Sequence, residues 1–233
     1  MLRYLLLIVC AAAFAHAEVY CFGFLNSHPE RKPIPDAEAN KIQEGHMAHM
    51  GKMNAAGRLL VAGPIANGGN LRGILVYRCK SLDEIAEWTA LDPAVQNNRL
   101  TLDAHLWRGP EKIGEPLFSR MQADPKTKVD MTQLPLIVMR RTEKWSGEGP
   151  MDVLVPHAKR IKGLIDEGKM RAAGPFLTAD GHFTDPIGIL VFSAMTLDEA
   201  KAIANEDPLV KEGYAKVDGY MWFVAEDGIP KKH

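Results

Sequence analysis

Two histidines, His46 and His157, each open a stretch that closes on Ala-Gly-Pro: HMAHMGKMNAAGRLLVAGP over 46–64 and HAKRIKGLIDEGKMRAAGP over 157–175. Imidazole takes up and gives back a proton near neutral pH. A histidine kept in both stretches while nearly every neighbour changes is therefore a candidate general base or acid. It also lies on the apolar stripe of its helix, where a core histidine with one hydrogen bond is the alternative. His46 and His49 are three residues apart and would share a helix face, the start of a metal site. Arg160 stands where the second copy should repeat His49, and no third ligand is near, so no metal is expected. Arg160 offers instead a guanidinium for an anionic substrate. Met47, Met50 and Met53 read as gap-filling core rather than as copper ligands. A second matched pair, Asp92-Pro93 and Asp207-Pro208, has the form of an aspartate N-cap followed by proline at the first helical position.

These side chains belong to a duplicated unit. GILVYRCKSLDEIAEWTALDPAV over 73–95 matches GILVFSAMTLDEAKAIANEDPLV over 188–210 without a gap, and Trp107 and Trp222 follow at the same interval. The second copy carries an insertion around 178–182. Each unit reads strand, helix, strand, strand, helix, strand. The first strands are VYCFGFL and LPLIVMR, rich in β-branched and aromatic residues. The first helices show apolar residues at helical spacing: Ile42, His46, Met50 and Met53, then Val153, His157, Ile161, Leu164 and Ile165. Gly57 and Gly168 fall where a left-handed helix cap is expected. Ser81 to Glu84 and Thr196 to Glu199 have the form of capping boxes. A βαββαβ order is the ferredoxin-like arrangement, an α+β fold with helices on one face of an antiparallel sheet. The other face is left apolar, and two units in one chain can cover each other sheet to sheet. The expected organisation is a first unit over 18–109, a linker of 110–133 without a clear period, and a second unit over 134–228.

The formal net charge of −1, from 28 basic and 29 acidic residues scattered along the chain, provides no field for nucleic acid or an anionic membrane. Residues 1–17 differ from the rest: an apolar run follows Arg3 and ends on Ala15-His16-Ala17, the pattern of a secretory signal peptide cut near Ala17. The run is too short to span a membrane comfortably, so a secreted or periplasmic mature protein with no membrane segment is expected. That removes Cys10 and leaves Cys21 and Cys79. The strand order would bring them together across strands as a disulfide; two separate buried thiols are the other reading.

The ordered series of helix histidine, glycine, Gly-Pro, hairpin, S/T-x-D-E helix start and Asp-Pro resembles the YCII-related family of the dimeric α/β-barrel superfamily, in both halves. The resemblance implies a fused intramolecular pseudo-dimer, able to stand as a monomer, with a cleft in each unit. There His46 with Asp92, and His157 with Asp207, would form acid–base pairs, and Gly63-Pro64 and Gly174-Pro175 would shape the pocket wall. It further implies a small-molecule ligand, anionic or aromatic, and proton-transfer chemistry of the lyase or isomerase kind that needs no cofactor. A non-catalytic binding or structural barrel is the competing reading, and a haem-binding relative a third.

Overall fold

The computed structural model describes residues 17–124 and 126–231. The signal-peptide reading falls on residues outside these, apart from Ala17. The first unit contains β1 (Ala17–Ser27), α1 (Asp36–Ala55), β2 (Leu59–Pro64), β3 (Leu71–Tyr77), α2 (Leu82–Thr89), the single turn α3 (Pro93–Gln96) and β4 (Leu100–Pro110). The second repeats it as β5 (Met131–Arg141), α5 (Met151–Asp166), β6 (Met170–Leu177), β7 (Phe183–Phe192), α6 (Leu197–Asn205), α7 (Pro208–Lys211) and β8 (Ala215–Ala225). Between them lies α4 (Glu115–Ala123).

Each unit is a four-stranded antiparallel sheet, with β1 between β3 and β4, and β5 between β7 and β8. The sheets join at two seams. Trp107 of β4 pairs with Phe176 of β6, and Trp222 of β8 with Ile65, the residue after β2. The seams use matched positions of the two units, so eight strands close into a barrel with a pseudo-twofold relation. The period-two alternation of strand side chains explains what fills it. Tyr20, Phe22 and Phe24 of β1 point inward with Leu134, Leu136 and Val138 of β5, around Trp107, Phe176 and Trp222. The intervening residues, Cys21 and Leu25 or Ile137 and Met139, point outward under the helices. The interior is thus packed with side chains, and one cavity lies outside it, between α5 and the second unit's sheet.

Local sequence sets the helix ends. Gly57 and Gly168 adopt φ of +68° and +71° just past α1 and α5, a backbone conformation that costs glycine little. Thr196 and Glu199 complete a capping box on α6. The first copy departs from it: Ser81 accepts from the Glu84 amide, but the Glu84 carboxylate accepts from the Lys80 amide, one residue further back. The segment expected as an aperiodic linker is also more ordered than its composition suggests. Ile113 and Leu117 are buried, and the Gly114 amide donates to the Gly228 carbonyl at 2.9 Å, so α4 is seated against the C-terminal segment. Its period is hidden because nine residues span little more than two turns. Met47 lies in the solvent, 54% exposed, while Met53 is buried. Cys21 and Cys79 are joined as a disulfide, their Cα atoms 5.9 Å apart, because β1 pairs with β3 at Cys21 and Tyr77.

Candidate functional site

The α1 and α5 helices cross their sheets with one histidine each turned toward the unit's Asp-Pro turn. His46 Nδ1 lies 2.7 Å from Asp92 Oδ2, and His157 Nδ1 lies 2.8 Å from Asp207 Oδ2. The second oxygen of each carboxylate caps its helical turn: Asp92 Oδ1 accepts from the Ala94 amide and Asp207 Oδ1 from the Leu209 amide. One aspartate therefore starts a helix and orients an imidazole together. An ionised carboxylate only accepts, so each histidine donates from Nδ1–H and keeps its lone pair on Nε2. Among the described residues neither Nε2 has a hydrogen-bond partner.

The surroundings differ. In the first pair the side chains are 6% and 7% exposed; in the second His157 is 20% exposed and Asp207 only 2%. Burial alone would raise the Asp92 carboxyl. The His46 hydrogen bond, the Ala94 amide and the charges of His46 and His49 outweigh it, and the pKa ends below the ordinary carboxylate value. Burial lowers the pKa of His49, against the opposing pull of Asp92.

His157 lines a cavity of about 50 Å³ together with Leu154, Ile161, Phe183, Ile187 and Leu209. A cavity that takes benzene is nearer ~150 Å³. The space thus suits the leading edge of a ring or a small head group, the rest lying in the open cleft. Its walls are apolar, so a hydrogen-bonding group that enters meets the imidazole as its principal polar partner. Leu154, Phe183 and Ile187 were not singled out from the sequence, because apolar residues on a helix stripe and a strand read first as core.

Gly174 and Pro175 also line this cavity, and Gly174 has a second task. A Cβ there would stand 1.9 Å from the Arg108 carbonyl oxygen, and one on Gly63 would stand 1.9 Å from that of Phe223. The two glycines admit the last strand of the opposite unit and so make the seams. Pro64 is exposed. Arg160 is turned away from the expected role: its Nη2 donates to the Ile203 carbonyl at 3.0 Å, at the end of α6. The matching carbonyl, Trp88, acts on the His49 ring. The shared position ties the first helix to the second, which accounts for both residue types without a metal or a substrate. No group of three His, Cys, Asp or Glu side chains able to hold a metal occurs among the described residues, and no described helix is long and apolar enough to cross a membrane.

A closed barrel of two ferredoxin-like units, each with an imidazole under its first helix, defines the dimeric α/β-barrel class. Within that class, the YCII-related domain model matches residues 25–101 and again 139–222, and the chain belongs to that family. Solved structures share the whole architecture at low identity. A protein provisionally classed as a chlorite dismutase aligns with a TM-score of 0.54 at 11% identity, covering 91% of this chain and 96% of the other. The W145F chlorite dismutase of Candidatus Nitrospira defluvii, in complex with cyanide, aligns at 0.53 and 9% identity, covering 93% and 94%. No curated protein matches the chain in sequence.

Proposed function

We propose that the protein is an exported small-molecule-binding protein whose second cleft carries out cofactor-independent proton transfer, of the isomerase or lyase kind, on a small apolar or aromatic molecule. The observation that carries this reading is the pairing of a carboxylate-oriented imidazole with a cavity that its ring lines. Nε2 of neutral His157 takes a proton from a carbon or oxygen acid of the ligand. The resulting imidazolium donates through Nδ1–H to Asp207, whose charge stabilises it. The ring then returns the proton to another atom of the same molecule, or to a departing group. The apolar wall excludes water, strengthening the attraction between Asp207 and the imidazolium. Relatives in the same fold act on or bind small molecules, as the names of the chlorite dismutase and its cyanide complex state, and this agrees with a ligand-sized cleft.

The test is proton exchange. The protein is incubated in D2O with a panel of small phenols and lactones, and deuterium incorporation is followed by NMR. His157→Ala should abolish exchange, and Asp207→Asn should reduce it by about 10²-fold or more, since an amide NH2 facing Nδ1 moves the ring proton to Nε2. Undiminished exchange in His157→Ala would overturn the assignment. Export is supported by the signal-like residues 1–17 and by the Cys21–Cys79 disulfide, which suits an oxidising compartment. N-terminal sequencing of protein recovered outside the cytoplasm should read from near Glu18.

A further inference from the structure

The two units share one backbone plan, and three matched positions change character together. The Arg31 amide donates to the His28 carbonyl at 3.0 Å, as the Trp145 amide donates to that of Thr142 at 3.1 Å. The His28 amide donates to the Arg99 carbonyl at 3.1 Å, as the Thr142 amide donates to that of Tyr214 at 3.0 Å. In the sheets Leu25 pairs with Gly73 and Met139 with Gly188, which puts Arg72 at the position of Ile187. Arg31, Arg72 and Arg99 thus stand where the second unit has Trp145, Ile187 and Tyr214. Ile187 lines the cavity beside His157, and Trp145 packs edge-on against Phe183, another lining residue, with ring centroids 5.5 Å apart. Trp145 and Ile187 are buried in the second unit's core, whereas Arg31 and Arg72 stand in solvent.

The arginines converge on one short loop. Arg72 Nε donates to Ser27 Oγ at 2.7 Å, Arg99 Nη1 donates to the Lys32 carbonyl, and Arg31 lies between. The Arg31 guanidinium has its pKa lowered by desolvation first and then by the charges of Arg99 and Arg72. Among the described residues none of the three makes an ion pair with a carboxylate. Three like charges gathered without a counter-charge repel one another, and an anion between them removes that repulsion. Guanidinium groups are also suited to bidentate contact with planar or tetrahedral oxyanions.

We propose that the loop after β1 carries an oxyanion subsite, in which Arg31, Arg72 and Arg99 hold the phosphate or carboxylate group of a small ligand. The matched positions of the second unit, Trp145, Ile187 and Tyr214, carry no such charge, so the subsite belongs to the first unit alone. Anion capture there needs no proton transfer and is independent of the His157 cavity. Two probes separate the sources of the shared chemistry: inorganic phosphate and, independently, benzoate, each titrated into the full mature chain while the arginine Nε–H signals are followed by NMR.

At least one probe should saturate and shift the signals of these three arginines. Arg72→Ile, which installs the second unit's own residue, and Arg31→Ala should each weaken binding about tenfold or more. Lys159→Ala, an exposed change on the second unit's helix, should leave it unaltered. The subsite is wrong if neither anion saturates, if Arg72→Ile and Arg31→Ala bind like the parent, or if Lys159→Ala loses affinity equally. Arg31 and Arg72 are both exposed, so either variant reports even if the other fails to fold. Anion binding retained alongside undiminished exchange in His157→Ala would sink the acid–base reading and leave the subsite standing.

Discussion

Asp92 carries two hydrogen bonds from opposite directions, one from a backbone amide and one from an imidazole, and both favour its charged form. Its folded pKa therefore lies below the unfolded value near 3.9. A group shifted this way stabilises the fold above the unfolded pKa and loses that contribution as the pH falls through the folded value. Urea unfolding between pH 7 and pH 2 should show the parent losing on the order of 1 kcal/mol more than Asp92→Asn on acidification; parallel pH profiles would show that the pair contributes nothing. The individual histidines and aspartates were legible in the sequence because each occurs twice in the same context. Arg160 was not legible. A guanidinium on a helix looks the same whether it meets a substrate or a neighbouring carbonyl, and only the placement of α6 decides it.

At the scale of elements, the repeat did most of the predictive work. A hydrophobic pattern that recurs across two copies separates required features from accidents, and strand order, glycine caps and Asp-Pro turns could all be read that way. What could not be read were features that depend on contacts between the copies. Gly63 and Gly174 are recognisable as conserved within the repeat, yet their close approach to Phe223 and Arg108 exists only once the barrel closes. Gly174→Ala forces a methyl group against a backbone carbonyl that has no rotamer to escape into. It should cost ~2–3 kcal/mol and part the seam between β4 and β6, read as a lowered melting temperature with faster amide exchange at Trp107 and Phe176. An unchanged melting temperature would mean that the seam relaxes freely. The helix α4 escaped detection for a different reason, being too short to display a period, with its buried Leu117, and Ile113 just before it, set among charged residues.

For the whole molecule, the core is divided into three layers, one inside the barrel and one under the helices of each unit. The disulfide belongs to only one of these. It closes a loop of 58 residues within the first unit, and a loop of that length lowers the entropy of the unfolded chain by an amount equivalent to ~4 kcal/mol. Reduction, or replacement of Cys79 by Ala, should therefore lower the stability of the first unit by roughly 2–4 kcal/mol, measurable as a shifted urea midpoint. Two free thiols in the non-reduced protein, counted by mass spectrometry, would remove that contribution.

The covalent joining of two equivalent units has a consequence beyond geometry. A barrel assembled from identical chains must carry every substitution on both sides of its axis, whereas here each half can change alone. Arg31 and Trp145 occupy equivalent positions of the two units without either constraining the other. One translation product can thereby acquire the division of labour of a heterodimer, with its partners fixed at one-to-one stoichiometry and held together at any dilution.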